Sequence, residues 1–394
     1  MPGNDKIQLA GSAILRMARV NCNHMFVTVK WMDRGEDMRL HLKKEFFGEK
    51  EFLLAENRAM KAWAFRYSTG VEAIRVENKK GYFIILPFKG QQIWRIHFCG
   101  KDLQMKTMME EPVPTKEYLK TYGAFLLHCG IAAFGAPQKE DTHPQHGEIP
   151  NADYQEAYMD CGEDFIAVGG AFFYDQSFVR NYTFCPECRL YENESVLKLH
   201  MTLENRRSKP MEYMYLCHIN FRPMDGAELI YSADYDTENV KVHKIIGADV
   251  PAEQAAKLKK YMEQLEKEPA LHHKVGASGQ VYDPEICFAV HYKGDENNRA
   301  YSLQYTEEGA CYVNHPADIL PVGVRWISRT DDEDSMGMVL PATAEHLGYT
   351  RAKKLGQVRL LPAKGKLEWT IEAGYLEAEE ARKVKEKIES IKSI

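Results

Sequence analysis

Residues 140–150 hold the densest group of side chains that could carry out chemistry. The segment reads Glu-Asp-Thr-His-Pro-Gln-His-Gly-Glu-Ile-Pro, so two histidines and three carboxylates lie close together between prolines. Binding and catalytic groups are commonly displayed on loops of this kind. The i, i+3 spacing of His143 and His146, with Asp141 and Glu148 beside them, could also hold a divalent metal if the loop curls. The composition favours an active site, and a metal site and a solvated polar loop are the alternatives.

A second group lies in residues 214–223, an apolar and aromatic run typical of a β-strand. His218, Asn220 and Arg222 occupy alternate positions, which places their side chains on the same face of a sheet. A single histidine on a strand is more often a core residue with satisfied hydrogen bonds. Three aligned polar groups are costly to bury without a ligand or mutual hydrogen bonds. The pattern therefore predicts a binding face.

Two further segments carry groups suited to binding a polyol through hydrogen bonds and ring stacking. Residues 87–95 offer cations, amides and a tryptophan around the start of a strand, and residues 324–332 end a strand-like run with charged groups. For the second segment an exposed turn is an equal alternative. The candidate binding residues in the two segments are Lys89, Gln91, Arg95, Trp326 and Arg329.

The elements that must position these groups are mostly β-strands. From Gly70 onward, short runs rich in β-branched and aromatic residues are separated by Gly, Asp, Asn and Pro, and residues 71–86 have the pattern of a hairpin. Strands at this spacing predict a mostly β fold, an antiparallel sandwich with a few peripheral helices. The main strand-like runs are 71–76, 81–86, 165–168, 171–174, 178–184, 196–203, 211–221, 229–232, 280–282, 286–292, 300–305, 310–313, 324–328, 358–361 and 366–375.

Helical patterns are confined to a few segments. Near the N-terminus, Ile7–Met17 and Glu36–Glu56 are candidate helices within a mixed region. Residues 251–268 start at a proline and show apolar residues at helical spacing, which predicts an inserted helix. The C-terminal residues predict a helix that docks on the sandwich or forms a dimer contact. The predicted division is an N-terminal extension packed on the sandwich, 1–69, a single β domain, 70–375, and a C-terminal helix, 376–394.

Composition excludes several classes of function. The 51 basic and 57 acidic residues give a net charge of −6 without a long basic block, so nucleic acid is not an expected partner. An apolar stretch long enough to span a membrane and a signal peptide are both absent from the sequence, which predicts a cytoplasmic protein. The nine cysteines indicate reduced thiols, including the pair Cys185 and Cys188. Nucleotide-binding and serine-hydrolase motifs are also missing, so we expect no cofactor.

Three segments together resemble the galactose mutarotase, or aldose 1-epimerase, superfamily, in particular a branch of unassigned function. They are Leu86–Trp94, Asp141–Pro150 with its His-Gly pair, and Tyr215–Pro223 with its His-Ile-Asn sequence, and the resemblance extends over residues 70–375. It implies a β-supersandwich that binds a pyranose, a strand histidine as general acid on the ring oxygen, and a glutamate as general base on the anomeric hydroxyl. His218 matches the strand histidine, and His146 matches a second histidine that contacts the sugar. Histidine can give and recover a proton near neutral pH.

The sequence differs from the superfamily at the expected general base, because Leu340 aligns with the superfamily glutamate and leucine cannot accept a proton. Glu345, Glu148, Asp141 or Asp332 could substitute. The sequence therefore predicts an isomerase acting on a sugar or sugar acid, with a lyase or hydrolase of a modified sugar and a non-catalytic carbohydrate-binding module as alternatives. The expected partner is a small carbohydrate, neither a metal nor a membrane is expected, and the chain is predicted to be a monomer or homodimer. The cations Lys89, Arg95 and Arg222 suggest an anionic substrate.

Overall fold

The computed structural model describes residues 14–19, 25–30 and 37–393. The helices are α1 (Ala252–Leu265), α2 (Gly348–Lys354) and α3 (Ala378–Lys392), and short 3₁₀ turns lie at Lys44–Phe46, Tyr118–Thr121 and Pro269–His272. The strands are β1 (Ile14–Arg19), β2 (Met25–Lys30), β3 (Met38–His41), β4 (Phe52–Glu56), β5 (Lys61–Arg66), β6 (Glu72–Asn78), β7 (Gly81–Ile85), β8 (Ile93–Phe98), β9 (Lys101–Asp102), β10 (Leu126–Ile131), β11 (Glu156–Cys161), β12 (Phe165–Gln176), β13 (Arg180–Tyr191), β14 (Val196–Asn205), β15 (Met211–Ile219), β16 (Glu228–Tyr231), β17 (Val240–His243), β18 (Ile286–His291), β19 (Arg299–Thr306), β20 (Gly309–Pro316), β21 (Val322–Arg329), β22 (Asp334–Ala342), β23 (Arg359–Leu361) and β24 (Lys366–Glu377).

These strands form two large sheets. The first has the order β1-β2-β4-β5-β6-β7-β8-β10-β15-β22-β21-β18-β17, with β9 on β8 and β23 on β15. The second has the order β16-β19-β20-β24-β14-β13-β12-β11-β3. Neighbouring strands pair antiparallel, except that β2 and β4 are parallel. The structure thus confirms the mostly β, antiparallel architecture.

The largest apolar core includes residues of both sheets. On β14, Leu197, Leu199, Met201 and Leu203 are buried at alternate positions, because successive strand residues point to opposite faces. A separate apolar cluster includes Trp94, Leu127, Leu216, Trp326 and Leu340, all from the first sheet. The first sheet is therefore covered on both faces, and the second cluster surrounds the predicted strand histidine.

The N-terminal helix predictions were wrong where the structure describes the chain. Within Glu36–Glu56, the described residues form β3, a 3₁₀ turn and β4, and β4 pairs with β5. The mixed apolar spacing there reflects strand residues such as Leu54, which is fully buried in the sheet. Most of Ile7–Met17 lies outside the described residues, and its last four residues belong to β1.

The other helices lie where their patterns suggest. Helix α1 falls within residues 251–268 and buries Leu258, Tyr261, Met262 and Leu265. Helix α3 packs on the second sheet through Ile388 and Ile391. None of the helices in the described residues is long and apolar enough to cross a membrane.

The Cys-Pro-Glu-Cys sequence lies within β13, where Cys185 and Cys188 are free thiols. Burial raises the pKa of Cys185 to about 11 and raises that of Cys188 well above its usual value. Both side chains are therefore protonated near neutral pH, which makes them poor nucleophiles.

Candidate active site

His218 projects from β15 away from the core between the sheets. Its neighbours Cys217 and Ile219 belong to that core, whereas Leu216 belongs to the second apolar cluster. The alternation along β15 therefore places the His218 side chain on the face that carries Trp326 and Leu340. The residue is 5% exposed.

His146 reaches the same place from the loop that follows β10. The amide of Gly130 donates to the His146 carbonyl at 3.0 Å, and the His146 amide donates to the Gly135 carbonyl at 3.1 Å. Gly147 has a φ of +88°, and a Cβ there would lie 2.2 Å from the carbonyl oxygen of Ala133. Only glycine permits this close approach of the backbone. The loop fixes the two imidazoles with their ring centroids 5.2 Å apart and their planes at 77°.

Three aromatic rings enclose the histidine pair. Tyr118, in a 3₁₀ turn, lies 4.7 Å from the His146 ring centroid. Tyr122 and Trp326 lie 5.6 and 5.5 Å from the His218 ring, in edge-on geometry. The Nδ1 atom of His146 and the hydroxyl of Tyr118 are buried without a hydrogen-bond partner. Buried polar groups are normally paired, so these two atoms are available to a ligand.

Asn220 determines the tautomer of His218. The Asn220 amide nitrogen donates to the Ala124 carbonyl at 2.9 Å, which turns its Oδ1 toward His218 Nδ1, 2.7 Å away. Because Oδ1 can only accept, Nδ1 of His218 donates this hydrogen bond. In the neutral ring Nε2 therefore carries no proton, and it is the nitrogen that can accept one.

Burial keeps both imidazoles neutral in this arrangement. It lowers the pKa of His218 to about 3, with partial opposition from the Asn220 hydrogen bond. Burial, together with the nearby His218 and His143, lowers the pKa of His146 well below its usual range. A charged imidazole loses its hydration in such surroundings, and a solvating ligand or counter-charge is needed to restore it.

Similarity to known proteins places the chain in a family. Residues 68–374 match the model of a family described as a domain of unknown function, DUF4432. The chain belongs to this family. No curated protein sequence matches the DUF4432 chain.

Solved structures show that this DUF4432 protein has the galactose mutarotase-like fold. A candidate aldose 1-epimerase from Klebsiella pneumoniae superposes with a TM-score of 0.71 at 15% identity, over 91% of this chain and 96% of the other. A galactose mutarotase-like protein from Clostridium acetobutylicum superposes with a TM-score of 0.54 at 13% identity, over 82% and 100% of the two chains. A candidate mutarotase from Salmonella typhimurium gives 0.52 at 10% identity, over 83% and 97%. The resemblance in the sequence is thereby confirmed at the level of fold.

Glu345 is engaged by another histidine. Its carboxylate lies 3.1 Å from His243 Nε2 and accepts from Gln357. The His243 hydrogen bond lowers the pKa of Glu345 to about 2. The His243 ring stacks on His346, with the ring centroids 4.8 Å apart. His346 in turn contributes to the lowered pKa of His218. Glu345 therefore belongs to a layer behind the histidine pair.

Glu148 is held by the protein itself. One of its oxygens accepts from the amides of Ile131 and Ala132, at 3.1 and 2.8 Å, and from the Tyr182 hydroxyl at 2.6 Å. Tyr182 belongs to the core between the sheets. Three donors on a buried carboxylate indicate that Glu148 fixes the loop that carries His146.

A Glu148→Ala variant should therefore lose stability rather than catalysis. Removing the carboxylate leaves the Ile131 and Ala132 amides without an acceptor, which should cost about 2–4 kcal/mol in the free energy of unfolding. Urea denaturation measures this loss. The activity per folded molecule should stay within about threefold of the wild-type value, as expected for a residue that takes no part in proton transfer. A stable variant that has lost its activity would restore Glu148 as a candidate base.

Two carboxylates that the sequence did not single out, Glu285 and Glu333, lie beside the aromatic wall formed by Tyr118, Tyr122 and Trp326. Glu285 accepts a hydrogen bond from the indole nitrogen of Trp326. Burial raises the pKa of Tyr122, and the charges of Glu285 and Glu333 raise it further. Glu285 also precedes β18, which pairs with the strand of Trp326. Glu285 is thus hydrogen-bonded to a ring that packs on His218. Leu340 lies buried in the second apolar cluster.

Of the predicted binding residues, Asn220 and Trp326 join the histidine pair. Lys89 donates to the Thr115 carbonyl at 2.7 Å, and burial lowers its pKa to about 8. Gln91 donates to the Pro87 carbonyl. In the described residues, neither Lys89 nor Gln91 is joined to the two histidines by a hydrogen bond or ring contact.

The remaining predicted residues make structural contacts around the site. Asp141 accepts from the amide of Thr350 at 3.0 Å, which ties the loop to α2, and His143 Nε2 lies 3.5 Å from that carboxylate. Arg329 binds Asp334 at 2.8 Å. His143 and His146 therefore face different partners, and no three histidine, cysteine or acidic side chains converge as metal ligands in the described part of the chain. Asp332 lies at the exposed turn after β21.

Proposed function

We propose that this protein is a carbohydrate isomerase that interconverts the anomers of a sugar or sugar acid, in the manner of an aldose 1-epimerase. The observation that supports this most strongly is the His146–His218 pair, 5.2 Å apart and enclosed by aromatic rings, on a galactose mutarotase-like fold. Aromatic rings suit the apolar face of a pyranose, and imidazoles suit its hydroxyl and ring oxygens. Because His218 is 5% exposed and the Tyr122 ring packs against it, we expect that ring to shift before a sugar can contact the His218 imidazole.

The proposed reaction moves one proton in each direction. The reactive form of His218 is the imidazolium, which takes up its second proton at Nε2 from solvent. It gives that proton to the ring oxygen as the C1–O5 bond breaks, and the carboxylate of Glu285 takes the proton of the anomeric hydroxyl, which leaves an open-chain aldehyde. Rotation about C1–C2 and reversal of both transfers close the ring as the other anomer. Nδ1 of His218 keeps its hydrogen bond to Asn220 throughout, which holds the imidazole in place.

This assignment predicts that activity falls as pH rises. A general acid works in its protonated form, and burial lowers the pKa of His218 to about 3 in the covered site. Above the pKa of the free enzyme, the protonated fraction drops about tenfold for each pH unit, so kcat/KM should be highest on the acidic side of the usual histidine value of about 6.5. The dependence of kcat/KM on pH between 4.5 and 8 measures this. A rate that rises with pH over this range would show that neutral His218 acts as the base and that the two roles are reversed.

One-dimensional proton NMR of anomeric exchange tests the proposed function directly. Faster exchange for one sugar in a panel of neutral aldoses and uronic acids would support the isomerase. No acceleration for any of them would overturn it.

A further inference from the structure

An open pocket of about 460 Å³ lies next to the histidine site and plays no part in the reaction proposed above. Three cations, Arg95, Lys106 and Arg222, line it together with one carboxylate, Asp102. That carboxylate lies 2.8 Å from Nδ1 of His97, outside the pocket lining. The pocket therefore presents an excess of positive charge.

Arg95 is a largely buried cation without an acidic partner. Its guanidinium donates to the carbonyls of Trp94 and Gly123 through one nitrogen and to those of Met109 and Glu110 through the other, at 2.8–3.0 Å. None of the ion pairs in the described residues includes Arg95, and burial lowers its pKa. The charges of Asp102 and Glu110 act on the Arg95 guanidinium without forming an ion pair with it. A buried charge that lacks a direct ion pair favours a nearby anion.

Lys106 and Arg222 bring more accessible charge. Arg222 is 43% exposed and lies 3.8 Å from Asp334, whose carboxylate is bound more closely by Arg329, at 2.8 Å. Lys106 donates to the backbone carbonyl of Asp331. Both side chains therefore have donors that an anionic group could use without breaking a short ion pair.

The pocket and the histidine site share a wall. Thr107, which lines the pocket, donates to the carbonyl of Tyr122 at 3.3 Å, and Arg95 donates to that of Gly123 at 3.0 Å. The Tyr122 ring packs on His218 from the same segment. Arg222 also follows His218 by four residues along the same chain segment, or about 13 Å if it is extended.

We infer that this pocket binds an anionic substituent of the substrate, remote from the anomeric carbon, so that the substrate class is an acidic rather than a neutral saccharide. The inference rests on the proposed function for the identity of the ligand as a sugar. A carboxylate and a phosphate ester share the required chemistry, since either accepts several hydrogen bonds from arginine and lysine.

Isothermal titration calorimetry with D-galacturonate, D-galactose 6-phosphate and D-galactose tests the inference. The wild-type protein should bind at least one of the two anionic sugars about tenfold more tightly than galactose, as charge-assisted hydrogen bonds allow. A Lys106→Gln/Arg222→Gln double variant should lose that preference and keep its affinity for galactose. The matched control is Lys257→Gln on α1, which removes an exposed lysine elsewhere and should change nothing. Which of the two anionic sugars binds more tightly identifies the group.

Equal binding of charged and neutral sugars by the wild-type protein would overturn the inference, and so would a preference that survives in the double variant. These results are separable from a failure of the proposed function. If the anionic sugar binds through the pocket and anomeric exchange is not accelerated, the inference stands and the isomerase proposal fails. If exchange is accelerated equally for neutral and charged sugars in both proteins, the isomerase stands and the inference fails.

Discussion

A His218→Gln variant should lose roughly 100-fold to 10,000-fold in kcat/KM for anomeric exchange, the usual contribution of a positioned acid or base. Glutamine is close to histidine in size and can still donate to Asn220 Oδ1, but it cannot transfer a proton at neutral pH. The rings of Tyr122 and Trp326 should remain supported, because the side chain still fills the space between them. NMR exchange rates measure the loss, and thermal unfolding checks that the fold is kept.

The matched control for this substitution is His200→Gln, which changes an exposed histidine on β14 of the second sheet. It should leave both the rate and the unfolding temperature unchanged. If the His218 variant turned over sugar at the wild-type rate, His218 would not be the proton donor, and the role would pass to His146.

A Glu285→Gln variant should produce the second large effect, again about 100-fold or more in kcat/KM. The amide oxygen of glutamine can still accept from the indole of Trp326, so the aromatic wall keeps its hydrogen bond while the base is removed. The variant should bind sugar normally, since the wall and the histidines are unchanged. Rates from NMR and affinities from calorimetry separate the two effects.

Glu345→Gln is the informative comparison for Glu285, because it changes a carboxylate that is already bound to His243. It should alter the rate by no more than about threefold, as expected for a group outside the proton-transfer path. If Glu345→Gln abolished exchange and Glu285→Gln did not, the base would be Glu345, acting through His243 and His346.

The residues of the candidate site that the sequence predicted share one property, a local pattern. His218 lies near the end of β15 and Asn220 two residues later, directly after the strand, and the structure brings the two side chains into a hydrogen bond, as their alternation suggested. His146 lies in a loop of unusual composition, and Gly147 beside it allows the close backbone contact that the loop needs. Period and composition are visible in a single sequence, so these features could be predicted.

The position of Glu285 could not be predicted in this way. Glu285 reaches the indole of Trp326, which packs on His218, because β18 pairs with β21, with Cys287 opposite Trp326. Such a register depends on long-range pairing that no local pattern specifies. Similarly, no local pattern indicates that Glu148 turns toward the Ile131 and Ala132 amides rather than toward a sugar.

The helix prediction over Glu36–Glu56 failed for a related reason. The apolar residues there settle on no single period, so the segment was only a candidate helix. Tertiary pairing decided otherwise, because β3 adds to the edge of the second sheet beside β11 and β4 pairs with β5 in the first. The helix propensity of a segment predicts its structure poorly when other strands are available to pair with it.

The most direct test of the proposed isomerase is the rate of anomeric exchange, measured by proton NMR for wild type and His218→Gln side by side on D-galacturonate, D-galactose 6-phosphate and D-galactose. We expect the wild-type protein to accelerate exchange of at least one of these sugars. We expect the His218 variant, shown to be folded by its unfolding temperature, not to do so. Equal acceleration by both proteins would contradict the role of His218. No acceleration by the wild-type protein, even with a wider panel of aldoses and uronates, would contradict the proposed isomerase.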